Sequence, residues 1–294
     1  VLDSLRYWVQ EYHVDGFRFD LAVALGRGRG DDFDPDHPFL VALRTDPVLS
    51  AVKLIAEPWD VGMHGWRTGQ FPDPFSEWND RYRDDVRRFW RGDAYAAGDL
   101  ATRITGSSNI FASHRRPSSS INYVAAHDGF TLRDAVTYTI KNNHANGEGN
   151  RDGNSREPCW ISTDPGRDVK ALLASLFVSR GTIMLTAGDE FGRSQEGNNN
   201  AYAQDNDLTW LDWSGRDTEM ERYVGALSRL RRSVPALAET GFLTGRPADA
   251  DVPDVEWLTE AGTPMQEHEW RDGWRLAMVL ARGNADGGRL AVVV

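Results

Sequence analysis

The sequence predicts an α/β protein built on a parallel, barrel-type sheet, and three observations carry that reading. Short apolar runs that end in a carboxylate recur, at Val14 to Asp20, Leu54 to Glu57 and Asn122 to Asp128. Segments with helical spacing of apolar residues separate these runs, which is the pattern of strand and helix repeats packed as a parallel sheet. After about Leu237 the pattern changes to short strand-like runs divided by turn signals, so a smaller β-rich part follows.

Leu2, Leu5, Trp8, Val9 and Tyr12 share one helical face, with Asp3 or Ser4 as the expected cap. A strand over Gly16 to Asp20 follows, then a polar loop over 26–37 and an apolar segment from Phe39 to Val52 that Pro47 interrupts. In the next strand Ile55 and Glu57 share a face, toward the expected barrel interior, and Pro58 restricts Glu57 to extended backbone and ends the strand. Residues 59–78 are rich in aromatics, of which Phe75 and Trp78 are expected to pack inward, with a strand over Phe75 to Asn79. A helix over Asp80 to Arg91 would turn Tyr82, Val86, Phe89 and Trp90 inward and close at Gly92. A shorter helical segment begins at Leu100 and reaches Ile104. The strand ending at His127 leads into a helix opened by Thr131, with Leu132, Ala135, Val136 and Ile140 on its apolar side. Val169, Leu172, Leu173, Leu176 and Phe177 mark the clearest helix, closed by Gly181, and Thr182 to Leu185 is an apolar strand. Tyr223, Val224, Leu227 and Leu230 carry a last helix, ended by Pro235. Beyond it Asp254 to Leu258, Trp274 to Leu280 and Leu290 to Val294 read as strands, with a turn at Asn284 to Gly288.

The 294 residues suffice for one large or two modest domains with a sizeable core. Thirty-three Lys and Arg stand against 44 Asp and Glu, and a net charge of −11 argues against a nucleic-acid partner. The single cysteine, Cys159, excludes an internal disulfide and fits a reducing compartment. No apolar run reaches the length of a membrane span, so no membrane partner is expected. No signal-peptide pattern stands at the start, and the chain reads as beginning mid-protein. Asn150, Asp152 and Asn154 alternate like the start of a calcium loop, but Gly153 is misplaced and Ile161 stands where the closing acid belongs. No metal and no cofactor are expected. A polar loop as long as 141–156 is usually functional or packed as a lid.

Arg18 and Asp20 share one strand face while Phe17 and Phe19 share the other. Ionic groups beside aromatics must pair to be tolerated, and Arg18 would hold Asp20 ionised, which suits a nucleophile or electrostatic stabiliser and not a general acid. A structural ion pair at a barrel rim is the other reading of this motif alone. Reactive groups of parallel α/β barrels sit where strands end at their carboxyl side, so Asp20, Glu57 and Asp128 would converge from three strands. Taken singly each also reads as a helix cap or turn residue, Asp128 before Gly129 above all. Together they are the nucleophile, proton donor and stabiliser of a glycosidase-like site.

These three segments resemble the α-amylase superfamily of glycoside hydrolases. Gly188 to Tyr202, with Gln204-Asp205-Asn206 and Trp210-Leu211-Asp212-Trp213 after it, is similar to bacterial glycogen-debranching enzymes of the isoamylase type. The resemblance implies retaining hydrolysis of α-1,6 branches in glycogen or limit dextrin, in the cytoplasm, with Asp20 as nucleophile, Glu57 as acid and base, and Asp128 and His127 on the sugar hydroxyls. Arg18 would orient Asp20. Trp59 or Trp66 would stack on sugar rings, and Asn199 and Asp205 would contact glucan through amide and carboxylate groups. A related transglycosylase, another α-glucosidic hydrolase, or a glucan-binding fragment without activity are the alternatives. Five strands are found where a closed barrel of this class has eight. By resemblance they are the fourth to eighth, giving a partial (β/α)8 TIM barrel over residues 1–237 and the start of a C-terminal β-sandwich over 238–294. The chain is read as part of a larger enzyme, inactive alone.

Overall fold

Five short strands pair side by side in chain order, all parallel, and form the sheet on which the molecule is arranged. The computed structural model describes residues 1–28, 32–112, 115–247, 252–272, 275–281 and 289–294. In order the elements are α1 (Leu2–Tyr12), β1 (Gly16–Phe19), α2 (Pro38–Thr45), β2 (Lys53–Ala56), β3 (Ser76–Asn79), α3 (Asp80–Arg91), α4 (Ala96–Ile104) and α5 (Ser108–Phe111). They continue with β4 (Ser120–Asn122), α6 (Leu132–Ala135), α7 (Pro165–Phe177), β5 (Thr182–Ile183), α8 (Thr218–Ser233), β6 (Val255–Leu258), α9 (Glu269–Asp272), β7 (Ala277–Ala281) and β8 (Arg289–Val293). Strands β6, β7 and β8 form a separate antiparallel sheet. The expected turn at 284–288 and the first residue of the expected strand, Trp274, lie outside the described residues.

Local chemistry accounts for the helices. Asn79 caps α3 by accepting the Tyr82 N–H at 3.0 Å, and Gly92 closes it in the left-handed conformation, φ 89°, that favours glycine. Tyr82, Val86 and Phe89 are buried on the inward face. Asp164 caps α7 ahead of Pro165 at the first helical position, and Asp217 caps α8 through two N–H groups. In α1 the expected apolar face is only half used. Leu2, Leu5 and Val9 pack on the core below β1, while Trp8 and Tyr12 stay exposed, and the residue before the helix is Val1, with no side-chain cap.

Two apolar clusters hold the layers. One gathers Phe19, Leu40, Leu43, Leu54 and Phe75 around β1 and β2. The other joins α3, α4, α7 and α8 to Met278 and Leu280 of the antiparallel sheet. Because all five parallel strands run the same way, their carboxyl ends open on one side, where Asp20 and Glu57 follow β1 and β2 directly.

Candidate active site

The register of β1 and β2 sets the centre of the site. Phe19 lies opposite Ala56, so the next residues, Asp20 and Glu57, emerge together at the carboxyl ends of neighbouring strands. Between them stands Arg18, whose Nη1 donates to Asp20 Oδ1 at 2.5 Å and whose Nη2 lies 2.7 Å from Glu57 Oε1. One guanidinium thus bridges two carboxylates of opposite exposure: the Asp20 side chain is 70% exposed and that of Glu57 2%. Burial pushes the Glu57 carboxyl above its ordinary value; the Leu21 N–H and Arg18 pull it down, and the charges of Asp20 and Asp128 push it up again. Leu21 donates its N–H to Glu57 Oε2 at 2.6 Å from a left-handed backbone, φ 41°, that costs a branched residue of order 1 kcal/mol or more. That strained turn is tied down twice more, by Ala22 N–H to Glu57 O and Glu57 N–H to Phe19 O, each at 3.0 Å.

Trp78, at the end of β3, links this pair to the third carboxylate. The Arg18 guanidinium sits 4.4 Å from the Trp78 ring centroid, and the His127 imidazole meets the same ring edge-on at 5.6 Å. His127 Nε2 lies 3.5 Å from Asp128 Oδ2, and both side chains are exposed. The reading that packs Trp78 inward with Phe75 is corrected here: Phe75 is buried, but Trp78 is half-buried and lines the cleft. Its place next to last in β3, close to the carboxyl end beyond which Asp20 and Glu57 stand on β1 and β2, is the sequence signal that marks it.

A cleft of about 310 Å³ is lined by Asp128, by the aromatics Trp59, Trp66, Trp78 and Tyr123, and by Asn154, Asn199 and Asn200. Trp59 and Trp66 stack on each other at 4.9 Å and 11°. The turn behind Trp59 is fixed by Arg27, which bonds both oxygens of Asp60 at 2.7 Å and holds that carboxyl below the usual range. Trp66 Nε1 donates to Asp80 Oδ2 at 3.2 Å. Arg83, one further cleft residue absent from the sequence reading, lies over the Tyr123 ring at 5.9 Å.

Asn199 is buried and lines the cleft, with its side chain engaged by the protein: Oδ1 accepts from Asn143 Nδ2 at 2.9 Å and Nδ2 donates to Asn154 O at 2.7 Å. Asp205 stands apart from the cleft lining, accepting from Trp210 Nε1 at 2.9 Å. Across the loop 141–156, Lys141 Nζ donates to the carbonyls of Asp152 and Gly153, at 2.6 and 3.0 Å, so an ammonium gathers the oxygens of the calcium-like stretch. Among the described residues no group of three or more His, Cys, Asp or Glu is arranged to hold a metal, and no helix is long and apolar enough to cross a membrane.

The fold belongs to a class known from solved structures. The pullulanase from Bacillus acidopullulyticus matches with a TM-score of 0.69 at 24% identity, over 99% of this chain and 33% of that one. A mutant pullulanase from Paenibacillus barengoltzii, complexed with maltotetraose, matches with a TM-score of 0.68 at 24% identity, over 99% and 42%. No family model matches the chain. Among curated proteins it is 48% identical over 292 residues to the glycogen debranching enzyme of Cronobacter sakazakii, covering 95% of this chain and 43% of that protein. It is 45% identical over 303 residues to the glycogen operon protein GlgX homolog of Mycobacterium tuberculosis (strain ATCC 25618 / H37Rv), covering 97% and 42%. The chain therefore spans a little over two fifths of the length of these relatives, and the resemblance to glycogen-debranching enzymes holds along nearly all of it.

Proposed function

We propose that this chain carries the catalytic centre of a retaining glycoside hydrolase that cleaves α-1,6 branch linkages of glycogen or limit dextrin in the cytoplasm. In this reading residues 1–237 are the fourth to eighth strands of a (β/α)8 barrel with their helices, and 238–294 begin a β-sandwich. The observation that carries it is the Arg18 bridge between Asp20 and Glu57, one carboxylate exposed and the other buried. A bridge of one guanidinium is compatible with the roughly 5 Å that separates nucleophile and acid in retaining glycosidases. Asp20, exposed and paired with a cation, attacks the anomeric carbon. Glu57, raised by burial, gives its proton to the leaving oxygen and then activates the water that releases the glucosyl-enzyme. Asp128 and His127 bind hydroxyls of the sugar being cleaved and tighten as it distorts toward the transition state. The tryptophan pair Trp59 and Trp66 offers the flat apolar surface that sugar rings stack on; Asn199, in the same cleft, and Asp205, outside it, are the remaining proposed glucan contacts. The pullulanase complexed with maltotetraose supports a linear α-glucan as the occupant of such a cleft.

The test is reducing-end release from glycogen and from linear amylose by the intact gene product that contains this chain, beside its Glu57→Gln variant. Activity on glycogen with little on amylose, lost by about 10²- to 10⁴-fold in the variant, is expected. Cleavage of amylose in place of glycogen overturns the branch-point assignment, transfer products with no net reducing ends overturn hydrolysis, and a fully active variant overturns the role of Glu57.

A further inference from the structure

Behind the segment that carries His127 and Asp128 lies an ion pair that the proposed chemistry does not use. Arg87, on the inward face of α3, and Glu157, after the asparagine-rich loop, are both buried. Arg87 Nη1 donates to Glu157 Oε1 at 2.5 Å and, more loosely, to Pro158 O at 3.4 Å; Arg87 Nε donates to the carbonyl of Val124 at 2.7 Å. Glu157 in turn accepts the N–H of Phe130 on both oxygens, at 3.1 and 3.0 Å. Val124 and Phe130 bracket His127 and Asp128, so the pair grips this segment at its two ends.

The segment needs such a grip. Strand β4 ends at Asn122 and α6 begins at Leu132, so residues 123–131 lie outside both regular elements. Gly129 completes the fit: its backbone has φ 127°, and a Cβ there would meet Glu157 Oε1 at 2.6 Å. Stability is a poor explanation for the charges themselves, because a well-packed apolar pair of similar volume usually serves a core as well or better. What the charges offer here is two directional anchors, one on a carbonyl and one on an N–H, six residues apart in the chain.

We propose that Arg87 and Glu157 are positioning residues that hold His127 and Asp128 at the cleft for the cleavage step. The proposal rests on the glycosidase reading above. The experiment compares the intact gene product with Arg87→Lys, Glu157→Gln and the double variant Arg87→Met with Glu157→Leu. It reads kcat, KM and thermal midpoint, together with the NMR resonance of the His127 imidazole, assigned by His127→Gln. The double variant is expected to stay folded while kcat per folded molecule falls about 10- to 100-fold with KM changed far less, since misplaced groups weaken the transition state more than the ground state. Arg87→Lys, which keeps a cation beside Glu157, is expected to recover part of the loss. Unchanged kcat per folded molecule in the double variant overturns the proposal; if that variant does not fold, Glu157→Gln, which keeps the shape but removes the charge that holds Arg87 on the Val124 carbonyl, decides in the same way. If the parent itself is inactive on glycogen the glycosidase reading fails separately, and the His127 resonance then decides: moved in folded Glu157→Gln it supports positioning, unmoved it overturns it.

Discussion

At Glu57 burial and charge pull in opposite directions, and burial wins. The folded carboxyl titrates above its unfolded value, so its contribution to stability is fully present below about pH 4.5 and is lost as pH rises through the folded value. At neutral pH the ionised group therefore costs stability, as groups held for chemistry often do. Glu57→Gln is expected to raise the thermal midpoint at pH 7 by a few degrees and to leave it nearly unchanged at pH 4, and thermal melts at the two values check this. Trp78 gives a second prediction at the same scale. Trp78→Ala removes the ring that both Arg18 and His127 rest on, so kcat is expected to fall tenfold or more. Trp66→Ala removes cleft surface, the stack on Trp59 and the bond to Asp80 but leaves the ring under Arg18 and His127, so it is expected to raise KM several-fold with kcat held, a contrast that steady-state kinetics on a branched glucan reads directly. Arg18, Asp20 and Glu57 are legible in sequence because period two and the strand-end rule mark charged residues in apolar runs; Asp128 lies beyond the end of β4 at Asn122, and His127 is given by the resemblance alone. Trp78 is the next-to-last residue of β3, in the polar run Ser76-Glu77-Trp78-Asn79, where a lone aromatic also reads as core, and only the position of Arg18 over its ring separates the two.

Elements follow the sequence wherever a cap and an apolar face agree, as in α3 and α7, and depart where side chains take over backbone bonding. The expected strand to His127 stops at Asn122 because Arg87 takes the Val124 carbonyl and Thr186 Oγ takes that of Ala125. The expected helix from Thr131 lasts one turn, and Ile140 stays exposed, because Trp160 N–H and Ser162 N–H occupy the carbonyls of Ala135 and Val136. None of these long-range partners can be read from local spacing. Asp189, in the turn after β5, is a buried carboxyl that ties this region together by accepting the Leu132 N–H at 3.2 Å, and burial pushes it up to about 7. Its sign is that of a raised acid: the stability it contributes is present below its unfolded value of 3.8 and is lost as pH rises toward 7. Asp189→Asn keeps the acceptor for Leu132 and removes the titration. The difference in thermal midpoint between variant and parent is expected to grow in the variant's favour from pH 4 to pH 7 and to level off above, which melts across pH 4–8 would reveal.

At the scale of the whole molecule, the chain passes from a parallel sheet to a separate antiparallel sheet, yet the packing joins the two. Met278 and Leu280 of β7 are fully buried in the same cluster as Leu100 of α4, Leu172 of α7 and Leu227 of α8. Arg180, itself buried just ahead of β5, donates to the carbonyl of Glu239 at 2.9 Å. Sequence pattern reports where secondary structure changes kind; it carries no direct signal of which helix face a distant strand will cover, so this shared core was not legible. It makes a strong prediction about cooperativity. Met278→Ala removes a side chain with no exposure and is expected to cost about 2–5 kcal/mol. If the two sheets fold as one unit through this core, far-UV circular dichroism and tryptophan fluorescence should shift together to a lower denaturant midpoint in the variant. Two separated transitions, with only one moved by Met278→Ala, would mean that the sheets are held by independent cores and that the contact between them is docking between finished domains.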